Sequence, residues 1–249
     1  MTNISGMNEN QSAPAIGFDL PDWSAPSAPE KDLVLDGQFV RLEPLVAVKH
    51  AMPLFQKYEG HDAVWTYLPV GPFEECSTYR NWVETAEQSS DPHFFAIWNK
   101  DTKEYEGTLS LLRIKPETGS IEVGFITFSP ALQKTRAATE AIFLTMKYAF
   151  EVGYRRFEWK CDALNVPSRK AAQRLGLSYE GIFRQATIVK GRNRDTAWFA
   201  AIDGEWPNLH QAFSRWLDPS NFDDEGQQII GLSDLTRSIL VATDPEVAN

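Results

Sequence analysis

The feature that most constrains this chain is a run of strand, helix and strand near its middle. Residues 120–128 have the alternating pattern of a strand, and residues 137–152 then carry apolar side chains at helical spacing. Residues 156–161 again have the pattern of a strand. A helix that connects two strands of one sheet makes a right-handed crossover, which leaves those strands parallel. The sequence therefore predicts one parallel pair at the centre of the fold.

The segments on both sides of this crossover predict antiparallel pairing. Short turns separate the strands predicted over 93–98, 105–114 and 120–128, which is typical of a meander. The predicted fold class is α/β (α+β), a mixed, mostly antiparallel sheet of about seven strands with a central parallel β-α-β crossover and helices on both faces. The other predicted strands cover 38–42, 179–190 and 195–203, and the other predicted helices cover 46–58, 74–88 and a short segment capped by Asn165.

The two ends of the chain differ in composition from its centre. Proline recurs near the beginning, which predicts an extended arm whose Phe18, Leu20 and Trp23 have the spacing to dock on the folded body. A free tail would have the same composition, so that alternative stays open. The other end is acidic and holds two short apolar patches, which predict an appendage with one short helix. The predicted divisions are an arm over 1–32, a domain over 33–217 and an appendage over 218–249.

Charge and composition argue against several classes of function. The chain has 34 acidic and 24 basic residues and a net charge of −10, so it would repel a phosphate backbone and no nucleic-acid partner is expected. No apolar run approaches the ~20 residues that span a bilayer, so we expect a cytoplasmic protein without a membrane partner. The 2 cysteines and 4 histidines lack metal-ligand spacing, which predicts no metal.

The junction between the first central strand and its helix is a candidate anion site. The segment Phe128-Ser129-Pro130-Ala131-Leu132-Gln133-Lys134-Thr135-Arg136-Ala137-Ala138 runs from strand through loop into a helix start of small residues. Such a start presents unpaired backbone N–H groups and the positive end of the helix dipole, which suits a pyrophosphate. Lys134 and Arg136 would add charge-assisted contacts. An ordinary strand-to-helix connection with a solvated Lys and Arg is the alternative reading.

Three motifs resemble the GNAT superfamily of acetyl-CoA-dependent N-acetyltransferases. They are Gln-x-x-Arg-x-Ala-Thr-Glu-Ala from Gln133, the pair Asn165-x-x-Ser168, and Leu175-Gly176-Leu177-x-x-Glu180-Gly181. Over residues 35–203 the chain is most similar to the ribosomal-protein-alanine branch, the RimJ/RimL-like enzymes. The resemblance implies the GNAT fold and acetyl-CoA as co-substrate. It also implies transfer of the acetyl group to a primary amine of a small molecule or a peptide N-terminus, within a ternary complex.

The resemblance also implies which residues bind acetyl-CoA. The family's phosphate loop corresponds to the start of the central helix, where Arg136 occupies the first glycine position. The strand before the loop would pair its backbone amides with pantetheine, and Gly124 is typical of a bulge there. Asn165 would bind the pantetheine amide, and the Ser168 hydroxyl would stabilise the departing thiolate. The complete set is Phe125, Ile126, Thr127, Gln133, Lys134, Thr135, Arg136, Ala137, Ala138, Thr139, Asn165 and Ser168.

Two residues are the catalytic candidates. An amine of pKa near 10 is mostly protonated at pH 7, so a carboxylate or a water that it orders must remove a proton, and the resemblance assigns this role to Glu122. A cross-strand ion pair with Arg113 or Lys115 would equally explain Glu122. Ser168 would act on the leaving thiolate, since Ala172 stands where many relatives have a tyrosine. A cap at the start of the helix would explain Ser168 and Asn165 without catalysis.

The acceptor side is the part that the sequence specifies least. Trp65, Tyr67 and Leu68 lie on the loop that borders the acceptor cleft in GNAT proteins, although core packing would also explain them. The negative net charge favours a cationic amine.

A different class of function is also open, namely a CoA-binding module with weak or no catalysis that acts as sensor or scaffold. A homodimer is left open as well. Trp82, Trp98, Trp159 and Trp198 are assigned to packing.

Overall fold

A single mixed sheet of eight strands forms the centre of the computed structural model, which describes residues 16–247. The strand order is β1-β2-β3-β4-β5-β6-β8-β7. The only parallel pair of this sheet is β5 with β6, joined through α3, which confirms the predicted crossover. The strands are β1 (Leu35–Asp36), β2 (Val40–Pro44), β3 (His93–Asn99), β4 (Glu104–Lys115), β5 (Ser120–Phe128), β6 (Arg156–Asp162), β7 (Ser178–Val189) and β8 (Arg192–Ile202).

The sheet differs from the prediction of about seven strands at its first edge. β1 is only two residues long and pairs with β2, so it is too short to have an alternating pattern. The helices are α1 (Ala47–Tyr58), α2 (Cys76–Glu87), α3 (Arg136–Glu151), α4 (Val166–Arg174), α5 (Trp206–Leu217) and α6 (Leu232–Thr236).

Sequence reasoning missed α5. Its buried residues Leu209, Phe213 and Trp216 recur at intervals of four and three, and Pro207 stands in its first turn, where it is tolerated. That spacing was the available signal. Of the described residues, none belongs to a helix that is both long and apolar enough to cross a membrane.

Buried side chains on alternating positions of β3 show that the sheet is covered on both faces. Phe95 and Ile97 belong to the larger core, which contains the buried face of α3. Phe94 and Ala96 point to the opposite side and pack in a second, smaller core with residues of α1 and α2. Because successive strand residues point to opposite faces, these two cores lie on opposite sides of the sheet. The prediction of helices on both faces is confirmed.

The described part of the N-terminal arm contacts the body at only one of the three predicted side chains, and also at Ser27, whose carbonyl accepts from the hydroxyl of Tyr154 at 3.2 Å. Trp23 is half-buried, its Nε1 donates to the carbonyl of Gly153 at 3.3 Å, and the Arg155 guanidinium lies 5.7 Å from the ring centre. Phe18 is 81% exposed and Leu20 is exposed, so the prediction that these two dock is wrong. Trp23 is one of the contacts that hold the arm, because its indole provides both a hydrogen bond and a flat ring for the guanidinium.

We expect Trp23→Ala to lower the free energy of unfolding by about 1 to 2 kcal/mol, through lost apolar burial and the lost cation–π contact. Phe18→Ala is the matched control and should leave it unchanged, because that ring is exposed. Urea unfolding of the full chain measures both values. Equal effects of the two substitutions would contradict this account of the arm.

The C-terminal segment is part of the folded body and not an appendage, which corrects the sequence-based division. Leu232 in α6 is fully buried in the larger core. Asp244 is fully buried, and its two carboxylate oxygens accept hydrogen bonds from Arg169 of α4 at 2.6 and 2.7 Å. The acidic composition therefore conceals a bidentate buried ion pair, a contact between distant residues that composition does not reveal.

Candidate active site

A cleft opens where the two parallel strands separate. β5 and β6 are paired from Ser120 with Arg156 to Val123 with Trp159, and beyond that point each strand pairs only with its outer neighbour. The resulting cleft has a volume of about 1800 Å³ and extends from the start of α3 to the hairpin of β7 and β8. The loop before α3 and Glu122, which are the two ends of the predicted site, both line this one cavity.

The start of α3 presents free hydrogen-bond donors. Thr135 caps the helix, since its Oγ1 accepts from the N–H of Ala138 at 3.1 Å. The N–H groups of Arg136 and Ala137 have no acceptor among residues 16–247. The helix dipole adds partial positive charge at the same place. Lys134 has a φ of 62°, so the left-handed residue of this loop is Lys134, whereas Arg136 is the first helical residue and has no such strain.

Arg136 is held in place by two aromatic rings. Its Cζ lies 4.8 Å from the ring centre of Phe39 and 4.7 Å from that of Phe222. Glu140 of α3 fixes Phe39, because its carboxylate accepts hydrogen bonds from the N–H groups of Gln38, Phe39 and Val40 at 2.6 to 2.8 Å. The guanidinium is therefore positioned before any ligand arrives, and it lines the cleft.

The other residues predicted to bind the pyrophosphate also line the cleft, at the end next to the start of α3, which we call the phosphate end. Gln133 donates its side-chain amide to the carbonyl of Phe128 at 3.0 Å, and Thr139 accepts from Arg174 at 3.3 Å. Lys170 and Arg174, both on α4, add positive charge to this end, and sequence reasoning missed them. Six residues of the predicted loop line the cavity beside Gln133, namely Lys134, Thr135, Arg136, Ala137, Ala138 and Thr139.

The strand β5 has a bulge where it borders the cleft. Phe125 has a φ of 47°, and the register with β4 shifts between the pairs Ser110 with Gly124 and Thr108 with Thr127. Phe125 and Ile126, both predicted to bind acetyl-CoA, line the cleft. Thr127 does not: its residue is 2% exposed, and its carbonyl accepts from the hydroxyl of Tyr58 at 3.1 Å. The side chain of Thr127 therefore belongs to the fold rather than to the cleft wall.

The start of α4 brings Asn165 and Ser168 to the cleft. Asn165 Oδ1 accepts from the N–H of Ser168 at 3.1 Å, which is the local cap foreseen as the alternative. Ser168 Oγ accepts from Trp159 Nε1 at 3.0 Å, so its hydroxyl proton is directed to a partner other than Trp159, and the Cys161 thiol is one such partner. Burial raises the pKa of the neighbouring Cys161 thiol to about 11, although Ser168 opposes this. Cys161 is therefore a neutral thiol at pH 7, and none of the four histidines lines the cleft.

Glu122 is a buried carboxylate in a network of charges. Its Oε2 lies 3.0 Å from Lys160 Nζ and 3.2 Å from Arg113 Nε, and neither contact has the geometry of a hydrogen bond. Lys160 also pairs with Glu158 at 2.6 Å. Burial raises the pKa of Glu122, whereas Lys160 and then Arg113 lower it, and the net direction is upward. The predicted ion pair with Arg113 is thus present, and the carboxylate still lines the cleft.

The loop that holds Trp65, Tyr67 and Leu68, which we call the aromatic loop, contributes two of these three predicted residues to the cleft wall. Tyr67 and Leu68 line the cleft, and the hydroxyl of Tyr67 donates to the carbonyl of Leu164 at 3.1 Å. Trp65 is 2% exposed and packs with Tyr58, Phe73 and other rings of the smaller core. The assignment of Trp65 to substrate binding is therefore wrong. A large aromatic ring has more apolar area to bury than a loop edge provides.

Sequence reasoning missed a set of residues on β6, β7 and β8. Lys160 lies 3.8 Å from the ring centre of Trp198, and Phe183 stacks on Trp198 at 4.5 Å. The sequence-based assignment of Trp159 and Trp198 to packing alone is incomplete, because both line the cleft. The alternation of Arg156, Glu158 and Lys160 along β6 was the available signal, since it places three charges on one face. Further residues that were missed are Arg194, Phe222, Gly226, Gln227 and Gln228.

Comparison with known proteins identifies the family. Residues 40–178 match the acetyltransferase (GNAT) domain. A GCN5-related N-acetyltransferase from Brucella melitensis is 45% identical with a TM-score of 0.85, over 88% of this chain and 100% of that one. A probable GNAT-family acetyltransferase from Chromobacterium violaceum is 41% identical with a TM-score of 0.72, over 79% and 98%. The uncharacterized N-acetyltransferase p20 of Bacillus licheniformis is 28% identical over 154 residues, 60% of this chain and 86% of that protein.

The fold and these matches define the protein as an acyltransferase. The domain match covers more than half of the chain, and the chain belongs to the GNAT acetyltransferase family.

Proposed function

We propose that this protein transfers the acetyl group of acetyl-CoA to a primary amine of a small molecule or a peptide N-terminus, by direct attack in a ternary complex. The observation that carries the proposal is the separation of β5 from β6, which leaves a cleft with donors and cations at one end and Glu122 at the other. Membership of the GNAT family supports acetyl transfer. Placement in the RimJ/RimL-like branch, a cytoplasmic location and a homodimer stay predictions.

The residues at the start of α3 fit the phosphates of acetyl-CoA. The free N–H groups of Arg136 and Ala137 and the side chains of Lys134 and Arg136 would hold the pyrophosphate. The bulged strand β5 would pair its backbone with pantetheine from Phe125 to Ile126, next to the amide of Asn165. The bound co-substrate supplies an activated acetyl thioester.

Glu122 would prepare the acceptor for attack. The neutral amine nitrogen forms a bond to the acetyl carbonyl carbon, the carbon–sulfur bond breaks, and the sulfur leaves with the electron pair. The amine must lose a proton, which Glu122 accepts directly or through a water, and a raised pKa makes this carboxylate a better base than an ordinary glutamate. The Ser168 hydroxyl, whose oxygen accepts from Trp159, would donate its proton to the thiolate as it leaves.

Direct attack is favoured over an acyl-enzyme. Cys161 is the one cysteine that lines the cleft, and burial keeps its thiol protonated. A cysteine nucleophile needs a lowered pKa, usually from a histidine or a helix start, and no histidine lines this cleft.

The proposal is tested by ligand-induced stabilisation together with turnover. Acetyl-CoA should raise the melting temperature, and a panel of amines should release CoA thiol at rates that depend on the amine. A folded protein that gains no stability from acetyl-CoA or CoA would overturn the proposal. Stabilisation without turnover of any amine would favour the alternative, a CoA-binding sensor or scaffold.

A further inference from the structure

We infer that the acceptor amine carries a carboxylate, and that Arg194 of β8 binds it. This inference rests on the proposed function and names the substrate class of the same cleft. It follows from the position of Arg194, from the pairing of the charges around it and from the apolar residues that flank it.

Arg194 lies on the part of the cleft wall built by β7 and β8. It pairs in register with Thr187, and it shares a face of β8 with Thr196 and Trp198. All four residues line the cleft. Since Trp198 is opposite Lys160 of β6, this face continues directly into the network that contains Glu122.

The other charges of this network already have partners. Arg113 and Lys160 pair with Glu122, and Lys160 also pairs with Glu158. Within residues 16–247, Arg194 has no carboxylate within 4.0 Å, and its buried Nε has no hydrogen-bond acceptor. The residue is half-exposed, so the rest of its guanidinium faces the cleft, where the carboxylate of a ligand would give the buried Nε the acceptor it lacks.

The position of Arg194 separates it from the cations of the phosphate end. Lys134 and Arg136 lie at the start of α3, and Lys170 and Arg174 lie on α4, whereas Arg194 is on the hairpin of β7 and β8. The aromatic loop borders this hairpin, because Lys190 donates to the carbonyl of Trp65 at 2.8 Å. Tyr67 and Leu68 of the same loop line the cleft.

The surroundings of Arg194 indicate an acceptor with an apolar body. Phe183 and Ile188 of β7 line the cleft and remain 55% and 75% exposed. Exposed apolar side chains beside a single unpaired cation match an amine that bears both a carboxylate and an apolar group. An α-amino acid with an apolar side chain has this chemistry. The local charge of the site thus points to a different acceptor from the simple cation that the net charge of −10 favours.

The experiment compares apolar L-amino acids with their C-terminal amides as acceptors, with acetyl-CoA as donor. For wild type, kcat/KM should be about 10- to 100-fold higher for the acids, the range for a hydrogen bond to a charged group. Arg194→Gln should remove this preference mainly by raising KM for the acids, and the amides should be unaffected. Arg194→Lys should restore part of it. Arg192→Gln is the matched control, because Arg192 is exposed on the same strand and does not line the cleft.

Each result tests either the role of Arg194 or the acetyl transfer itself. Turnover of amides or simple amines with no preference for the acids would overturn the role of Arg194 and leave the proposed function intact. A preference that survives Arg194→Gln would do the same, and so would turnover of other amines without turnover of any amino acid. Failure of acetyl-CoA to stabilise the folded wild type would instead overturn the proposed function, and the inference with it.

Discussion

Replacing Glu122 by glutamine is expected to lower kcat by about 10² to 10⁴ at neutral pH, the range for a positioned general base. The amide has nearly the same shape as the carboxylate but accepts no proton at this pH. Acetyl-CoA affinity should be unchanged, because the phosphate end lies at the start of α3 and not at Glu122. Steady-state kinetics with one accepted amine measures the loss, and ligand-induced melting shifts measure the affinity.

The pH dependence identifies the proton acceptor. Burial raises the pKa of Glu122, so the carboxylate form is lost as pH falls through this raised value, at higher pH than for an ordinary glutamate. The wild-type rate should fall with it on the acid side, and Glu122→Gln should lack this limb. Part of the lost rate should return as pH rises toward the pKa of the amine, since more substrate is then neutral.

Two control variants separate a base from a charge partner. Glu158→Gln removes the other carboxylate that pairs with Lys160, but Glu158 does not line the cleft, so kcat should change little at neutral pH. The acid limb should move to lower pH, because the charge of Glu158 helps to raise the pKa of Glu122. Ser168→Ala should lower kcat without recovery at high pH, because its effect is on the leaving thiolate. A Glu122→Gln enzyme with wild-type turnover from pH 6 to 8 would return Glu122 to a purely electrostatic role beside Lys160 and Arg113.

The sequence predicted the parts of the fold that depend on local pattern. The crossover from β5 through α3 to β6 follows from two periodicities and one loop, all within about 40 consecutive residues, and it is present. The cap by Thr135 and the cap by Asn165 are also local features. β1 was missed because two residues carry no periodicity.

The parts that depend on long-range register were not predictable. Glu122 meets Lys160 only because Ser120 pairs with Arg156 in the parallel register, and that register is absent from the local sequence. Trp65 and Trp198 have similar aromatic surroundings in sequence, yet one is buried in the smaller core and the other lines the cleft. The contact of Phe222 with Arg136 spans 86 positions, so composition described that segment only as acidic.

Replacing Arg136 by glutamate is expected to abolish most of the stabilisation by CoA. A ligand at 100 times its Kd stabilises the folded state by about 2.7 kcal/mol, which corresponds to a rise of about 5 to 10 °C for a chain of this size. The substitution places a carboxylate at the start of α3, next to the N–H groups that would bind the pyrophosphate. It would repel the phosphates and compete for the same donors.

The stacking of Arg136 between Phe39 and Phe222 requires a second comparison, because its loss lowers the stability of the free protein as well. The quantity to measure is therefore the shift in melting temperature between CoA-free and CoA-saturated samples of each variant, not the melting temperature itself. Arg136→Met keeps apolar contact with both rings without the charge and should retain an intermediate shift. Arg155→Glu is the matched control: Arg155 also lies over a ring, that of Trp23, but does not line the cleft, so its variant should keep the full shift. A full CoA shift in Arg136→Glu would show that the phosphates bind elsewhere, because a glutamate beside the free N–H groups of α3 is incompatible with a pyrophosphate at that position.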